Sequence, residues 1–202
     1  MIFVISETTS AQTVLGAKAG LNLSNLSIEN AGDDNLVAGF HGGLFANMPL
    51  SKDFSVQPEL LFSQKGTKWS MENSLVDTDV ILKLNYVEVP VNLVYNLAED
   101  FDFQFGPYVG ILAGSKADGK VTIGNNTYEA GDQIDTDKFK SVDFGLQGGL
   151  RFFLNPVYLG FTYKYGLSRV DKEGEYTETL FDKAGNRTIH LYAGIPLSVF
   201  KK

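Results

Sequence analysis

Apolar and polar residues alternate with a period of two in eight stretches of this chain. That period belongs to β-strands, whose successive side chains point to opposite faces. In the first stretch Leu15, Ala17, Ala19, Leu21 and Leu23 share a face against Gly16, Lys18, Gly20, Asn22 and Ser24. The second runs from about Leu36 to Met48, with Leu36, Ala38, Phe40, Leu44, Ala46 and Met48 in phase. In the third Phe54, Val56, Pro58, Leu60 and Phe62 oppose Ser55, Gln57, Glu59, Ser63 and Lys65. In the fourth Asn85, Val87, Val89, Val91, Leu93 and Tyr95 oppose Tyr86, Glu88, Pro90 and Asn92. The fifth sets Phe101, Phe103, Phe105, Val109, Ile111 and Ala113 against Asp102, Gln104, Gly106, Tyr108 and Gly110. The sixth sets Val142, Phe144, Leu146, Leu150, Phe152 and Leu154 against Asp143, Gly145, Gln147, Gly149 and Arg151. The seventh has Val157, Leu159, Phe161, Tyr163, Tyr165 and Leu167 against Tyr158, Gly160, Thr162, Lys164 and Gly166. The last has Ile189, Leu191, Ala193, Ile195, Leu197 and Val199 against His190, Tyr192, Gly194 and Ser198.

The connections sort by length. Short ones (Pro49 to Asp53, Asn96 to Asp100, Asn155-Pro156) alternate with long polar ones, about Asn25 to Asn35, Ser70 to Val80, Ser115 to Lys140 and Asp171 to Arg187. Barrels that span a bacterial outer membrane have this asymmetry, with short periplasmic turns and long outer loops. The apolar face is almost free of charge, with Lys83 near a strand end as the clearest exception. It is too bulky for the interior of an eight-stranded barrel, which side chains only just fill. The opposite face carries many Gly and the charged residues Lys18, Glu59, Glu88, Arg151 and Lys164, a set that a dry soluble core would not hold without heavy desolvation cost. Phe54, Tyr95, Phe101, Phe103 and Phe152 lie toward the short turns, and Phe62, Tyr163 and Tyr165 toward the long loops, as in the aromatic girdles of membrane barrels. The pattern predicts an all-β fold, an eight-stranded antiparallel up-and-down transmembrane β-barrel with its apolar face outward.

Composition agrees and narrows the function. The 202 residues suit one domain, and 44% apolar with 20% charged residues describes a folded chain. Mean hydropathy is near zero, as strands that are apolar on one face alone produce. With no Cys, thiolate zinc sites, disulfides and thiol catalysis are excluded. A net charge of −7 argues against nucleic acid as a partner. The apolar run Met1-Ile2-Phe3-Val4-Ile5 and the small residues Thr9-Ser10-Ala11 resemble the end of a signal peptide, so residues 1–12 are expected to be a remnant signal peptide or a flexible N-terminus, and residues 13–202 the barrel.

Three segments carry a resemblance. Leu15-Gly16-Ala17-Lys18-Ala19-Gly20-Leu21-Asn22, Gln57-Pro58-Glu59-Leu60-Leu61-Phe62-Ser63-Gln64-Lys65-Gly66 and Leu84-Asn85-Tyr86-Val87-Glu88-Val89-Pro90-Val91 together resemble the PorT-type outer membrane β-barrel family of the Bacteroidetes group. The similarity runs from about Val14 to Phe200 and implies an OmpX- or OmpA-like barrel in the outer membrane. It implies outer membrane lipids as partners, and envelope or secretion-system proteins as partners of the long loops. Such barrels usually end on a lipid-facing aromatic; here the alternation counted through the last strand puts Val199 in the apolar phase and Phe200 in the polar one.

Candidate chemistry is sparse. His41 and His190, the two His of the chain, both fall on the inner face, and His190 with Ser198 or Ser168 sketches a hydrolase set that points away from lipid. Asp132, Asp135 and Asp137, with Asp33-Asp34, lack calcium-loop spacing and read as solvated loop acids, so no metal or cofactor is expected. Gly145 to Gly149 lies on a strand and has no phosphate-loop pattern. The inner charges Lys18, Glu59, Glu88, Arg151 and Lys164 are expected to meet across the lumen as a polar network. Glu59 and Glu88 should stand side by side, with Arg151 as the strongest candidate to bind a carboxylate through two bonds. The reading is a structural or interaction barrel without catalysis; a narrow pore, a component assisting secretion and, last, a soluble lipocalin-like binder are the alternatives.

Overall fold

The computed structural model describes residues 12–27, 36–73, 76–123, 126–133, 142–169 and 185–200. The strands are β1 (Thr13–Ser27), β2 (Val37–Pro49), β3 (Phe54–Asn73), β4 (Val76–Ala98), β5 (Phe101–Ile123), β6 (Asn126–Gln133), β7 (Val142–Leu154), β8 (Val157–Arg169) and β9 (Gly185–Phe200). They form one antiparallel sheet in the order β4-β3-β2-β1-β9-β8-β7-β5-β6, and β4 also pairs with β5. That pairing closes the ring. β6 pairs with β5 from Lys116↔Gln133 to Ile123↔Asn126, beyond the stretch of β5 that pairs with β7, so eight strands make the barrel and the ninth is added outside it. Closure leaves the barrel strands without an unpaired edge, the condition for β-structure in a bilayer.

The two phases of each strand face opposite surroundings. Leu21, Leu44, Leu60, Ile111, Phe144 and Phe161 stand outward and exposed. Lys18, His41, Glu59, Glu88, Arg151 and Lys164 point inward and are buried. An outer surface of Leu, Val and Phe on every barrel strand is stable only where lipid covers it. The inner face is less polar than the alternation suggests. Val37, Leu61, Leu82, Leu84 and Tyr86 are also buried, most of them toward the long-loop end.

Two of the expected long loops are largely strand. β3 and β4 stay paired up to Asn73↔Val76, through the segment read as the Ser70–Val80 loop. β5 continues to Ile123 and folds back as β6, through part of the segment read as the Ser115–Lys140 loop. These segments carry no sustained apolar alternation, yet each already has a neighbour in register, so the ladder extends from the barrel. The last strand also departs from simple counting. Leu15 pairs with Ser198 and Gly16 with Pro196, so β9 carries an extra residue there, and Phe200 pairs with Thr13. A bulge shifts the phase by one residue, and the alternation counted from Ile189 therefore does not carry through to position 200.

Candidate functional site

The inner face holds the chain's buried chemistry. Among the described residues it contains four cations, Lys18, Lys65, Arg151 and Lys164, and four carboxylates, Glu59, Glu88, Asp102 and Asp143, all buried.

Toward the short turns, antiparallel register sets Asp102 of β5 directly opposite Arg151 of β7. The guanidinium grips that carboxylate through two bonds, Nε to Oδ1 at 2.8 Å and Nη2 to Oδ2 at 2.7 Å, and gives Nη1 to Gln57 Oε1 at 2.6 Å. Gln57 donates in turn to Glu59 at 2.8 Å. Lys18 of β1 lies 2.6 Å from the other oxygen of Glu59 and over the Tyr192 ring at 4.4 Å. Asn92 donates to Glu59, and Gln147 to Asn92. Phe153 and Tyr158 flank the Arg151 guanidinium at 5.6 and 5.2 Å. Beneath this tier a cavity of about 610 Å³, lined in part by Asn47, Gln57, Asp102, Arg151 and Tyr158, opens among the short turns.

The second tier lies toward the long loops. Lys65 of β3 sits between Glu88 and Asp143, 2.7 Å from each. Lys164 of β8 holds the other oxygen of Glu88. Ser168 donates to Asp143 at 2.6 Å, and the Tyr108 hydroxyl reaches the same carboxylate at 3.3 Å. His41 and His190 stack at 4.1 Å between ring centroids, with His41 Nδ1 2.6 Å from Asn22 Oδ1. Asn22 Nδ2 contacts the Phe40 and Gln64 carbonyls and Ser63, so Oδ1 is left as an acceptor and His41 Nδ1 carries the proton. Glycines make room for the bulk. A Cβ at Gly194 would run into the Tyr158 ring, and one at Gly160 into that of Tyr192.

The five charges singled out by sequence are all in this interior, but not in the arrangement expected. Glu59 and Glu88 do not share a cation: Glu59 takes Lys18, and Glu88 takes Lys65 and Lys164. Register explains it, since Leu61 rather than Glu59 pairs with Glu88. Arg151 does bind a carboxylate through two bonds, but that of Asp102, its direct neighbour. Arg151 and Lys164 lie at different depths: Arg151 pairs with Gly160, and Lys164 with Gln147 farther from the turn. Sequence reasoning left Lys65, Asp102 and Asp143 out of the network. The signal was available, because all three sit in the inward phase and register brings Asp102 to Arg151.

The hydrolase sketch with Ser168 does not assemble as drawn. Ser168 gives its hydroxyl to Asp143, and the His190 ring lies on His41. Among the described residues no group of three His, Asp or Glu is placed to hold a metal ion. Asp33, Asp34, Asp135 and Asp137, and the residues up to Ala11 where a remnant signal peptide or flexible N-terminus is expected, lie outside the described residues.

Outside the lumen one further charged group stands on the wall. Lys116 lies 2.7 Å and Lys83 3.4 Å from the Asp118 carboxylate. The bond from Lys116, ahead of the charges of both lysines, holds the Asp118 carboxyl below its ordinary range.

Among solved structures the chain is similar to Ail, the attachment invasion locus protein of Yersinia pestis, at 16% identity over 93% of this chain and 99% of that one, with a TM-score of 0.48. It is similar to Neisserial surface protein A at 14% identity over 92% and 96%, with a TM-score of 0.42. It is also similar to the outer membrane protease OmpT from Escherichia coli, at 9% over 93% and 96%, with a TM-score of 0.39. No curated protein sequence matches it. The family model described as outer membrane protein beta-barrel domain matches residues 10–172, most of the chain. With its closed ring of eight strands and its lipid-facing apolar wall, the chain belongs to the outer membrane protein beta-barrel domain family and resides in the bacterial outer membrane.

Proposed function

We propose that this chain is a plugged, non-catalytic outer membrane barrel that acts as an interaction module, presenting the β3–β4 and β5–β6 hairpins at the cell surface. The observation that carries the reading is the filled interior. Four buried cations and four buried carboxylates meet in short ion pairs across the lumen. An ion in transit would have to break buried pairs and leave desolvated charge uncompensated. The hairpins supply what the lumen lacks, a surface with ordered backbone beyond the apolar wall.

The motifs Gln57 to Gly66 and Leu84 to Val91 support the finer assignment to the PorT type, and with it envelope or secretion-system proteins as the partners of these hairpins. Purified barrel in planar bilayers tests the plug. No steady current is expected at neutral pH; a steady single-channel current would favour the narrow pore instead. Site-specific crosslinking from Asp77 and Gly131 in cells tests the interaction role, with envelope proteins expected as the products and lipid alone as the contrary result.

A further inference from the structure

Among the described residues, the outward phase is uncharged from Phe54 to Phe62 on β3, from Val87 to Leu97 on β4 and from Phe103 to Ile111 on β5. Just beyond the apolar wall the character changes. Asn85 of β4 accepts a hydrogen bond from Gln64 of β3 at 3.0 Å. One step farther out, Lys83 of β4 and Lys116 of β5 are direct cross-strand partners. Like charges in that position repel, and here they share a single carboxylate, Asp118, at 3.4 and 2.7 Å. Lys68 of β3, in register with Ile81, lies on the same phase. On the far side of the ring Arg187 of β9 is exposed and stands over the Tyr165 ring at 5.1 Å. The short turns carry Lys52 among Asp53, Glu99 and Asp100.

We infer that the outward rim at the hairpin end, with Lys83 and Lys116 at its centre, binds the phosphate of an anionic membrane lipid headgroup. Height supports this. Lys83 is four residues beyond Val87, where the unbroken apolar outward run of β4 ends, and Ile81, one outward position farther, is apolar again. The step from Val87 to Lys83 is about 13 Å along a strand, or roughly 10 Å of rise at the usual tilt. The headgroup layer begins where the hydrocarbon ends, and a lysine stem can lean several ångströms back toward it. Chemistry supports it too. Each ammonium has three donors and gives one to Asp118, so these three side chains together carry one net positive charge. Their side chains are 52% exposed at Lys116 and 34% at Lys83, so a headgroup can reach both. Asp118 holds the ammoniums close without cancelling them, and a phosphate oxygen can accept from each. The inference does not depend on which leaflet faces the hairpins.

The barrel reconstituted in phosphatidylcholine discs doped with phosphatidic acid provides the test, with bound lipid counted by native mass spectrometry after gentle stripping. The parent should retain phosphatidic acid over phosphatidylcholine, and each of Lys83→Gln and Lys116→Gln should cut that preference about fivefold, consistent with the attraction of one basic residue near an anionic surface. Lys52→Gln at the opposite rim should leave it unchanged. Heat-modifiable gel migration confirms that each variant is folded. Equal retention of the two lipids by the parent, or equal preference in parent and double variant, would overturn the inference. So would displacement of the retained phosphatidic acid by inorganic phosphate in the buffer, because the site would then be one for a free anion.

Discussion

At the scale of single residues, the interior is a set of charges that are safe only in company. Arg151 and Asp102 are both buried, and they meet through two bonds. Arg151→Ala leaves the Asp102 carboxylate buried and unpaired, which costs on the order of 3–5 kcal/mol. Removing both partners together removes the stranded charge as well. Arg151→Met with Asp102→Leu should therefore be closer to the parent than Arg151→Ala alone. Urea unfolding in detergent reads the difference, and a double variant less stable than the single one would contradict it. How far this site was legible follows from the same pair. Alternation places both residues on the inner face, but choosing Asp102 over Glu59 or Glu88 as the partner requires the register between β5 and β7. Periodicity says which way a side chain points and says nothing of which neighbour it meets. Lys65 was passed over for a similar reason: it lies at the far end of the β3 pattern, and only the ring's closure brings it to Asp143, 78 residues away.

At the scale of elements, the barrel strands were legible because each has one face for lipid and one for the lumen. The hairpin ends of β3, β4, β5 and β6 were not. Segments such as Lys116 to Lys120 and Glu72 to Asp79 have no sustained apolar phase, and such a sequence reads as loop. They are strand because their bases already lie side by side in the barrel, and zipping onward satisfies backbone donors and acceptors at little further entropy cost. The same alternation of long and short connections predicts sidedness. Cys placed at Asp77 or Gly131, in a chain that has none of its own, should react with a membrane-impermeant maleimide on intact cells. Cys at Ser51, Glu99 or Asn155 should react only after the outer membrane is opened. Labelling at Ser51 or Glu99 on intact cells, with Asp77 silent, would invert the topology.

At the scale of the whole molecule, one residue joins strands that are not neighbours in the ring. Glu88 of β4 holds Lys65 of β3 and, across the lumen, Lys164 of β8. Lys65 reaches on to Asp143 of β7, and Asp143 to Tyr108 of β5 and Ser168 of β8. Five of the eight barrel strands thus depend on this junction for their inward polar groups to be satisfied. Among the described residues the interior holds equal numbers of buried cations and carboxylates, and Glu88→Gln leaves them with one uncompensated positive charge. Asp143 would remain the partner of Lys65, and Lys164 would lose the carboxylate it holds. The shape of the barrel should survive, because backbone pairing around the closed ring does not pass through side chains. The plug should not, because an unpaired ammonium in a narrow space draws in water and anions. The expected result is a protein that still migrates as a folded barrel on gels, unfolds at lower temperature than the parent, and passes a small anion-selective current where the parent passes none. A silent Glu88→Gln barrel with parental stability would mean that the junction does not hold the lumen shut.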